Sequence, residues 1–410
     1  MSITDTGASH IQAGTPAFWR TNLAVLCAGF STFALLYCVQ PLLPVFSRQF
    51  HVTPAAASLA LSVTTVLLAA SLLVAGSLSE AWGRKPMMLA AMTACALLNV
   101  LTAVMPVWHG VLVTRALEGI ALSGLPAIAM AYLSEEMHPR SISLAMGLYV
   151  SGSGIGGMAG RLLTAVLTDL TNWRIGVASI GVLGLLAAAI FAWSLPPSRH
   201  FRPRSLAPRT LASGFAGHFR DAGLRWLFIE GFLLMGSFVT VYNYIGYRLL
   251  APPYNLSQSV VGSVFTVFLV GVFSSTWCGG LAGRLGRRRV FWVIVAVMLG
   301  GVLLTLARNL ALVIAGIALV TFGFFGAHAV ASGWIGARAR QARAQAAALY
   351  LFFYYVGSSA IGSLGGLFWS DAGWSGVVGL IGSLLLAALA IGLRLARLRP
   401  LPPPAVRQAG

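Results

Sequence analysis

The chain has 410 residues, of which 58% are AVILMFWYC and 46 are glycine, while only 9% are charged. An ordinary globular chain is about one quarter charged, and 27 basic with 9 acidic side chains cannot cover a soluble surface, which excludes a water-soluble enzyme, a disordered chain and a secreted disulfide scaffold. An all-α polytopic membrane protein remains; its net charge of +18 lies in short connections between apolar runs, not on one folded face, so nucleic acid is excluded as a partner.

A bilayer-spanning helix needs about 20 mostly apolar residues, and twelve such stretches follow one another. The polar tail 1–21 lacks the apolar core and cleavage site of a signal peptide, so span 1 (22–46) is predicted to be an uncleaved anchor. It carries Tyr37 and Gln40 beside the helix breakers Pro41 and Pro44. Span 2 (57–79) runs into the turn Gly76-x-x-x-Glu80-Ala81-Trp82-Gly83-Arg84-Lys85. There Gly76 lets helices approach, Gly83 permits a tight turn, and the Glu80 carboxylate can hold the basic pair against helix-end carbonyls. Span 3 (87–106) is featureless, and span 4 (110–133) holds Arg115, Glu118 and the breaker Pro126. Span 5 (143–167) holds Arg161 and the run Gly152-x-Gly154-x-x-Gly157, which matches a dinucleotide fingerprint but has no preceding strand. Gly152, Gly156 and Gly160 instead make a four-residue stripe for close helix packing. Span 6 (174–195) completes the first half.

A basic linker, 196–222, opens Leu-Pro-Pro and divides the chain into a bundle of six spans (22–195) and a second of six (223–397), followed by a tail, 398–410. Span 7 (224–248) carries Glu230, Tyr242, Asn243 and Tyr244. After span 8 (258–282) the turn returns 203 residues on, as Gly279-x-x-x-Gly283-Arg284-Leu285-Gly286-Arg287-Arg288. A second echo sets Asp169…Trp173 against Asp371…Trp374. Spans 9 (290–307) and 10 (309–333), the latter with His328, precede span 11 (344–368), with Tyr350, Phe353 and Tyr354, and span 12 (374–394). Internal repeats of this kind build many secondary transporters, with the substrate near the repeat interface. Of the 27 basic residues, 21 fall on the face that carries the termini and 4 on the other. The positive-inside rule then places both termini in the cytoplasm.

Cys27, Cys38, Cys95 and Cys278 lie singly inside spans, without ligand spacing. No Walker A, HExxH or GxSxG occurs, so neither an enzyme nor an ATP-driven pump is expected, and no cofactor or metal. Charge at the bilayer centre costs about 2.5–3.5 kcal/mol on insertion scales, so ionisable residues there face a partner or a wet cavity. Five are found: Arg115, Glu118, Arg161, Glu230 and His328. At 1.5 Å per residue, Arg115, Glu118 and Arg161 lie at comparable depth, about 8–12 Å from the outer ends of their spans. Glu118 is therefore expected to bridge both arginines, as a proton-coupling group or as a fixed ion cluster. Glu230 and His328 share a depth near the inner side and form a second candidate pair; snorkelling of Glu230 and simple packing of the imidazole are the plain alternatives. Tyr37, Gln40, Tyr242, Asn243, Tyr244, Tyr350, Phe353 and Tyr354 are the substrate-binding candidates, since aromatic walls with sparse hydrogen-bonding groups suit amphipathic ligands.

The chain resembles the major facilitator superfamily along nearly its whole length. That family's turn signature, Gly-x-x-x-Asp-(Arg/Lys)-x-Gly-(Arg/Lys)-(Arg/Lys), is matched by Gly76, Gly83, Arg84 and Lys85, with Glu80 for Asp and Ala81 for the first basic residue. Within it the chain looks like the twelve-span drug:proton antiporters. Arg115-Ala-Leu-Glu118-Gly119 matches their span-4 Arg-x-x-x-Gly; Gly147, Gly156 and Gly160 match their span-5 pattern, where Arg161 replaces Pro and Thr164 and Ala165 replace the closing glycines. The resemblance implies a monomeric secondary transporter in the lipid bilayer, with spans 1, 4, 7 and 10 lining a central cavity, moving a small organic solute outward against protons. A proton symporter or uniporter for uptake is the alternative, and a non-transporting membrane sensor on the same fold is the reading from another class.

Overall fold

The computed structural model describes residues 10–138, 141–199, 201, 216–339 and 343–397, with the side chains of residues 76, 77, 80, 81, 143 and 344 outside that description. Gly76 and Glu80 of the turn motif, most of the linker and the last tail therefore fall outside it.

Among the described residues twelve long helices follow one another: α1 (Pro16–Gln49), α2 (Pro54–Trp82), α3 (Arg84–Val104), α4 (Trp108–Glu136), α5 (Ile142–Leu170), α6 (Trp173–Ser194), α7 (Ala222–Leu250), α8 (Gln258–Leu285), α9 (Arg287–Leu304) and α10 (Leu310–Arg338). A last run, Arg343–Arg397, leaves helical geometry at Ala372 and Gly373, so it is two helices, α11 (343–371) and α12 (374–397). Nine stretches of the described residues are apolar and long enough to cross a bilayer, one of them holding both α11 and α12. α5 and α9 fall outside that set, because glycines and Arg161 dilute the hydropathy of α5 and Arg287, Arg288 and Arg289 open α9. Side-chain oxygens of Thr53, Asn172, Asp221, Ser257 and Asn309 accept the first amide hydrogens of α2, α6, α7, α8 and α10, which fixes where each helix starts.

Three helices are broken. α1 stops at Tyr37, passes through a 3₁₀ turn over Gln40–Leu42 and resumes as Leu43–Gln49, since Pro41 and Pro44 have no amide hydrogen to give. α4 breaks between Leu122 and Pro126 for the same reason. α8 tightens into a 3₁₀ turn at Val264–Val267 with no proline to announce it.

Within the first six helices α1 packs on α5 and α6, α3 on α4 and α6, and α2 on α4; within the second six α7 packs on α11, α10 on α8 and α9, and α9 on α12. The glycine stripe makes the tightest of these contacts. A Cβ on Gly152, Gly156 or Gly160 would collide with the backbone at Leu26, Phe30 or Ala34 of α1. The repeat is visible in the backbone: Gly83 and Gly286 each cap one helix and start the next with φ of 91° and 90°, a region that glycine alone occupies freely.

The two sets of six meet chiefly through α2 on α11 and α5 on α8. Their hydrogen bonds run from the face remote from the termini to about mid-depth. At the rim the Ser259 N–H and Oγ donate to Asp169 (3.2 and 2.6 Å), and Gln258 Nε2 donates to the Pro41 carbonyl (2.6 Å). Ser47 and Tyr247 share a 2.7 Å contact. Deeper, Ser363 Oγ donates to Ser62 (2.8 Å) and Thr65 meets Ser359 (2.7 Å). No such bond joins the sets, among the described residues, in the half nearer the termini.

Candidate functional site

Arg115 is wholly buried and fully engaged. Its Nε donates to the Ala60 carbonyl (3.0 Å), Nη1 to the Leu35 carbonyl (3.1 Å) and to Glu118 (2.7 Å), and Nη2 to the Leu36 carbonyl (2.7 Å). Leu35 and Leu36 end the first segment of α1, so the guanidinium ties α4 to α2 and holds α1 where its ladder stops. Glu118 pairs with Arg115 through Oε2, while its Oε1 has no partner among the described residues.

Arg161 does not join this cluster, which corrects the expected three-membered bridge. The stripe of α5 turns Gly160 onto Ala34, and Arg161, one residue on, meets Gln40 and the Tyr37 ring instead of Glu118. Its Nε donates to Gln40 Oε1 (2.6 Å) and its Nη1 to the Gly157 carbonyl one turn back (2.6 Å). Three rings enclose the guanidinium, with centroids 4.1 Å (Tyr37), 4.7 Å (Phe268) and 5.2 Å (Phe265) from Cζ. No carboxylate reaches it among the described residues. Gln40 passes the contact across the seam: its Nε2 donates to Asn243 Oδ1 of α7 (2.8 Å). Phe265 and Phe268 escaped the sequence reading because nothing marks two phenylalanines out of 22; the unheralded 3₁₀ turn of α8 is what aims them inward.

Tyr242, the residue before Asn243 on α7, shares a 2.7 Å hydrogen bond with Thr321 of α10 and stacks on Phe265 (5.3 Å). Tyr244 turns instead toward α11, donating to the Gly362 carbonyl (2.7 Å). Phe353 is also a packing residue: its ring lies parallel to Phe228 of α7 at 5.8 Å and edge-on to Phe219.

Glu230 and His328 do not pair either. The His328 Nδ1 meets the Tyr350 hydroxyl (2.9 Å), and its ring lies among Tyr354 (5.0 Å), Tyr350 (5.5 Å) and Phe324 (6.0 Å). Gly231 lies against the Tyr350 ring, which places Tyr350 between acid and imidazole. Glu230 itself is wholly buried, and neither carboxyl oxygen has a partner among the described residues. From Glu230 the groups Tyr350, His328 and Tyr354 step toward the aromatic cage of Arg161.

At the turn after α2 Lys85 meets helix-end carbonyls and Arg84 a carboxylate of α4, while the side chain of Glu80 lies outside the described residues. Lys85 Nζ donates to the Ala192 and Leu195 carbonyls at the end of α6 (2.9 and 2.5 Å). Arg84 forks onto Glu135 of α4 (2.7 and 3.2 Å), also donates to Ser79, and lies over the Phe201 ring. In the second copy Gly279, Gly283 and Gly286 have open space where a Cβ would be, and Arg287 is exposed and Arg288 half-exposed. At the opposite rim the Ser259 hydroxyl and amide hydrogen bonds hold the Asp169 carboxyl below the usual range.

Two six-helix sets that meet along a seam, with buried polar groups beneath the hydrogen bonds that join them, have the architecture of a polytopic membrane carrier. The chain belongs to the major facilitator superfamily, whose model matches residues 25–254. It is 51% identical over 389 residues to YybF, an uncharacterized MFS-type transporter of Bacillus subtilis (strain 168), covering 95% of this chain and 96% of that one. It is 52% identical over 387 residues to the inner membrane transport protein YnfM of Escherichia coli (strain K12), covering 94% and 93%. Among solved structures, a bacterial homolog of the human lysosomal transporter Spinster, inward-facing and unoccupied, superposes with a TM-score of 0.77 at 13% identity, covering 94% of this chain and 98% of that one. The chain is thus a multi-pass membrane transporter.

Proposed function

We propose that the protein exports a small organic solute across the bacterial inner membrane against inward-moving protons, with both termini cytoplasmic, and that Glu230 carries the proton. One observation supports Glu230 over Glu118: its carboxyl is buried on α7 with no hydrogen-bond or ionic partner among the described residues. A buried charge without a partner costs several kcal/mol. The group therefore holds a proton while the seam is closed as here, and gives it up only when the helices rearrange around it. Glu118, by contrast, is tied to Arg115 and acts as a fixed clamp on α1. The identity to YnfM supports the inner-membrane setting, and the count of 21 basic residues against 4 supports the orientation.

The test uses purified protein in proteoliposomes loaded with a pH-sensitive dye. A solute panel of dyes, antibiotics, short sugars and aromatic acids is added under an imposed proton gradient. Solute-dependent collapse of the gradient is expected from wild type. Glu230→Gln is expected to lose that collapse while retaining solute exchange at equal pH. A Glu230→Gln protein that still moves protons with solute at the wild-type rate overturns the assignment.

A further inference from the structure

We infer that Arg161, with Gln40 and Asn243, forms an anion-recognition site, and that the solute carried is a small organic anion with an aromatic or otherwise apolar body. This rests on the reading of the chain as a carrier with its solute beneath the seam.

The donor and acceptor count leads to the anion. A guanidinium has five N–H donors and no acceptor. Arg161 uses Nε on Gln40 and Nη1 on Gly157, and Nη2 has no acceptor among the described residues. Because an arginine can only donate, it fixes the direction of everything linked to it. Gln40 must present Oε1 to Arg161, so it presents Nε2 to Asn243, and Asn243 must accept through Oδ1. The Asn243 Nδ2 is thereby left as a donor, and it is buried without a partner. The chain Arg161–Gln40–Asn243 thus ends in surplus donors on both sides of the seam, while each of its side-chain oxygens already accepts a hydrogen bond. A neutral hydroxylated solute needs donors and acceptors together; a carboxylate or sulfonate needs donors alone.

The charge count points the same way. Arg115 is neutralised by Glu118 at 2.7 Å. Arg161 is 2% exposed and has no carboxylate partner among the described residues; the rings of Tyr37, Phe265 and Phe268 offer their faces to the cation but carry no charge. A cation–π contact is worth about 0.5–2 kcal/mol, well short of the several kcal/mol that desolvating a guanidinium costs. An anion that displaces part of this cage would supply the missing charge, and the same rings would flank its apolar body.

The placement suits alternation. Arg161 lies about 14 Å below the end of α5 on the sealed face, directly beneath the Asp169–Ser259 and Gln258–Pro41 contacts that close it. Gln40 belongs to the first set of helices and Asn243 to the second, so opening the seam must part them and expose both donors.

The test reads binding without relying on transport. Benzoate, phenylacetate and indole-3-acetate are compared with benzamide, phenylacetamide and indole-3-acetamide by thermal shift and tryptophan quenching of the detergent-purified full chain at fixed pH and ionic strength. At least one carboxylate is expected to bind wild type tenfold or more tightly than its amide. Arg161→Gln is expected to remove that preference, Arg161→Lys to retain part of it, and Asn243→Leu to weaken it several-fold. Glu230→Gln is expected to keep the preference while losing proton movement, which separates failure at this site from failure of the coupling assignment. Equal binding of acid and amide to wild type overturns the inference without any variant, as does an absence of binding by all three acids. A carboxylate preference that survives in a folded Arg161→Gln protein overturns the role of Arg161.

Discussion

Arg115 and Arg161 are both buried arginines beside α1, one residue type with two different chemistries. Arg115 reaches three main-chain carbonyls and a carboxylate, so every part of its charge is answered within the protein. Removing its charge leaves Glu118 buried without its cation and the Leu36 carbonyl without its side-chain donor. Arg115→Gln is therefore expected to cost about 3–5 kcal/mol, read as a large fall in melting temperature in detergent, whereas Arg115→Gln with Glu118→Gln recovers part of the loss because no lone charge remains. A double variant no more stable than the single one would show that the carbonyl contacts, not the ion pair, carry the stability. The same use of cations at helix ends recurs where Lys85 meets α6, Arg174 meets the Ala103 and Met105 carbonyls of α3, and Arg248 meets the Thr305 and Ala307 carbonyls after α9. The sequence made all five intramembrane ionisable residues visible, since each interrupts an apolar run. Their partners were not visible, because depth along a helix is countable from residue number while rotation about its axis is set by packing. That is why Arg161 and Glu118 agree in depth and still meet different partners.

The element scale is governed by how closely backbones can approach. Gly156 of α5 lies on the Phe30 main chain of α1, whereas Gly147 of the same helix has open space where a Cβ would be. Gly156→Ala is expected to force α1 and α5 apart at a cost of about 1–3 kcal/mol, seen as lowered yield and melting temperature. Gly147→Ala, with no neighbour to meet and a better helix former in place, is expected to be neutral or to gain about 0.5–1 kcal/mol. Equal effects of the two would refute the packing role of the stripe. The seam has an electrostatic element of its own. The Ser259 bonds lower the Asp169 carboxyl in the closed arrangement, so that arrangement is favoured above the ordinary carboxylate range and loses the contribution as pH falls through the lowered value. A distance probe between α5 and α8 at the sealed rim is expected to open on acidification from about pH 5 to pH 3, and Asp169→Asn to shift the neutral-pH population the same way; an unchanged distance in both cases would remove Asp169 from the gate. Helix breaks at Pro41 and Pro126 and the paired turns at Gly83 and Gly286 were legible because proline and glycine act locally. The 3₁₀ turn of α8 was not, because no residue in Val264–Val267 requires it and the contact of this segment with α5 imposes it.

For the whole molecule, the proton site and the anion site proposed above would together fix the charge moved per cycle. Exchange of one proton inward for one monovalent organic anion outward carries two charges in the same electrical direction. Each charge crossing 100 mV is worth about 2.3 kcal/mol, so the pair is worth about 4.6 kcal/mol, or roughly three orders of magnitude in the solute ratio the carrier can sustain. Symport of the same anion with one proton would carry none. Proteoliposomes clamped with valinomycin and set potassium gradients distinguish the two at constant pH. Under antiport, a potential alone is expected to drive carboxylate accumulation, reversing direction when the potential is reversed, and Glu230→Gln is expected to reduce the charge per anion from two to one as the proton drops out. Carboxylate uptake indifferent to potential but driven by a proton gradient would convert the export reading into uptake by symport, with Arg161 and Glu230 keeping their roles. Voltage dependence is thus the property through which two buried side chains, placed on different helices of different bundles, report the direction in which the molecule works.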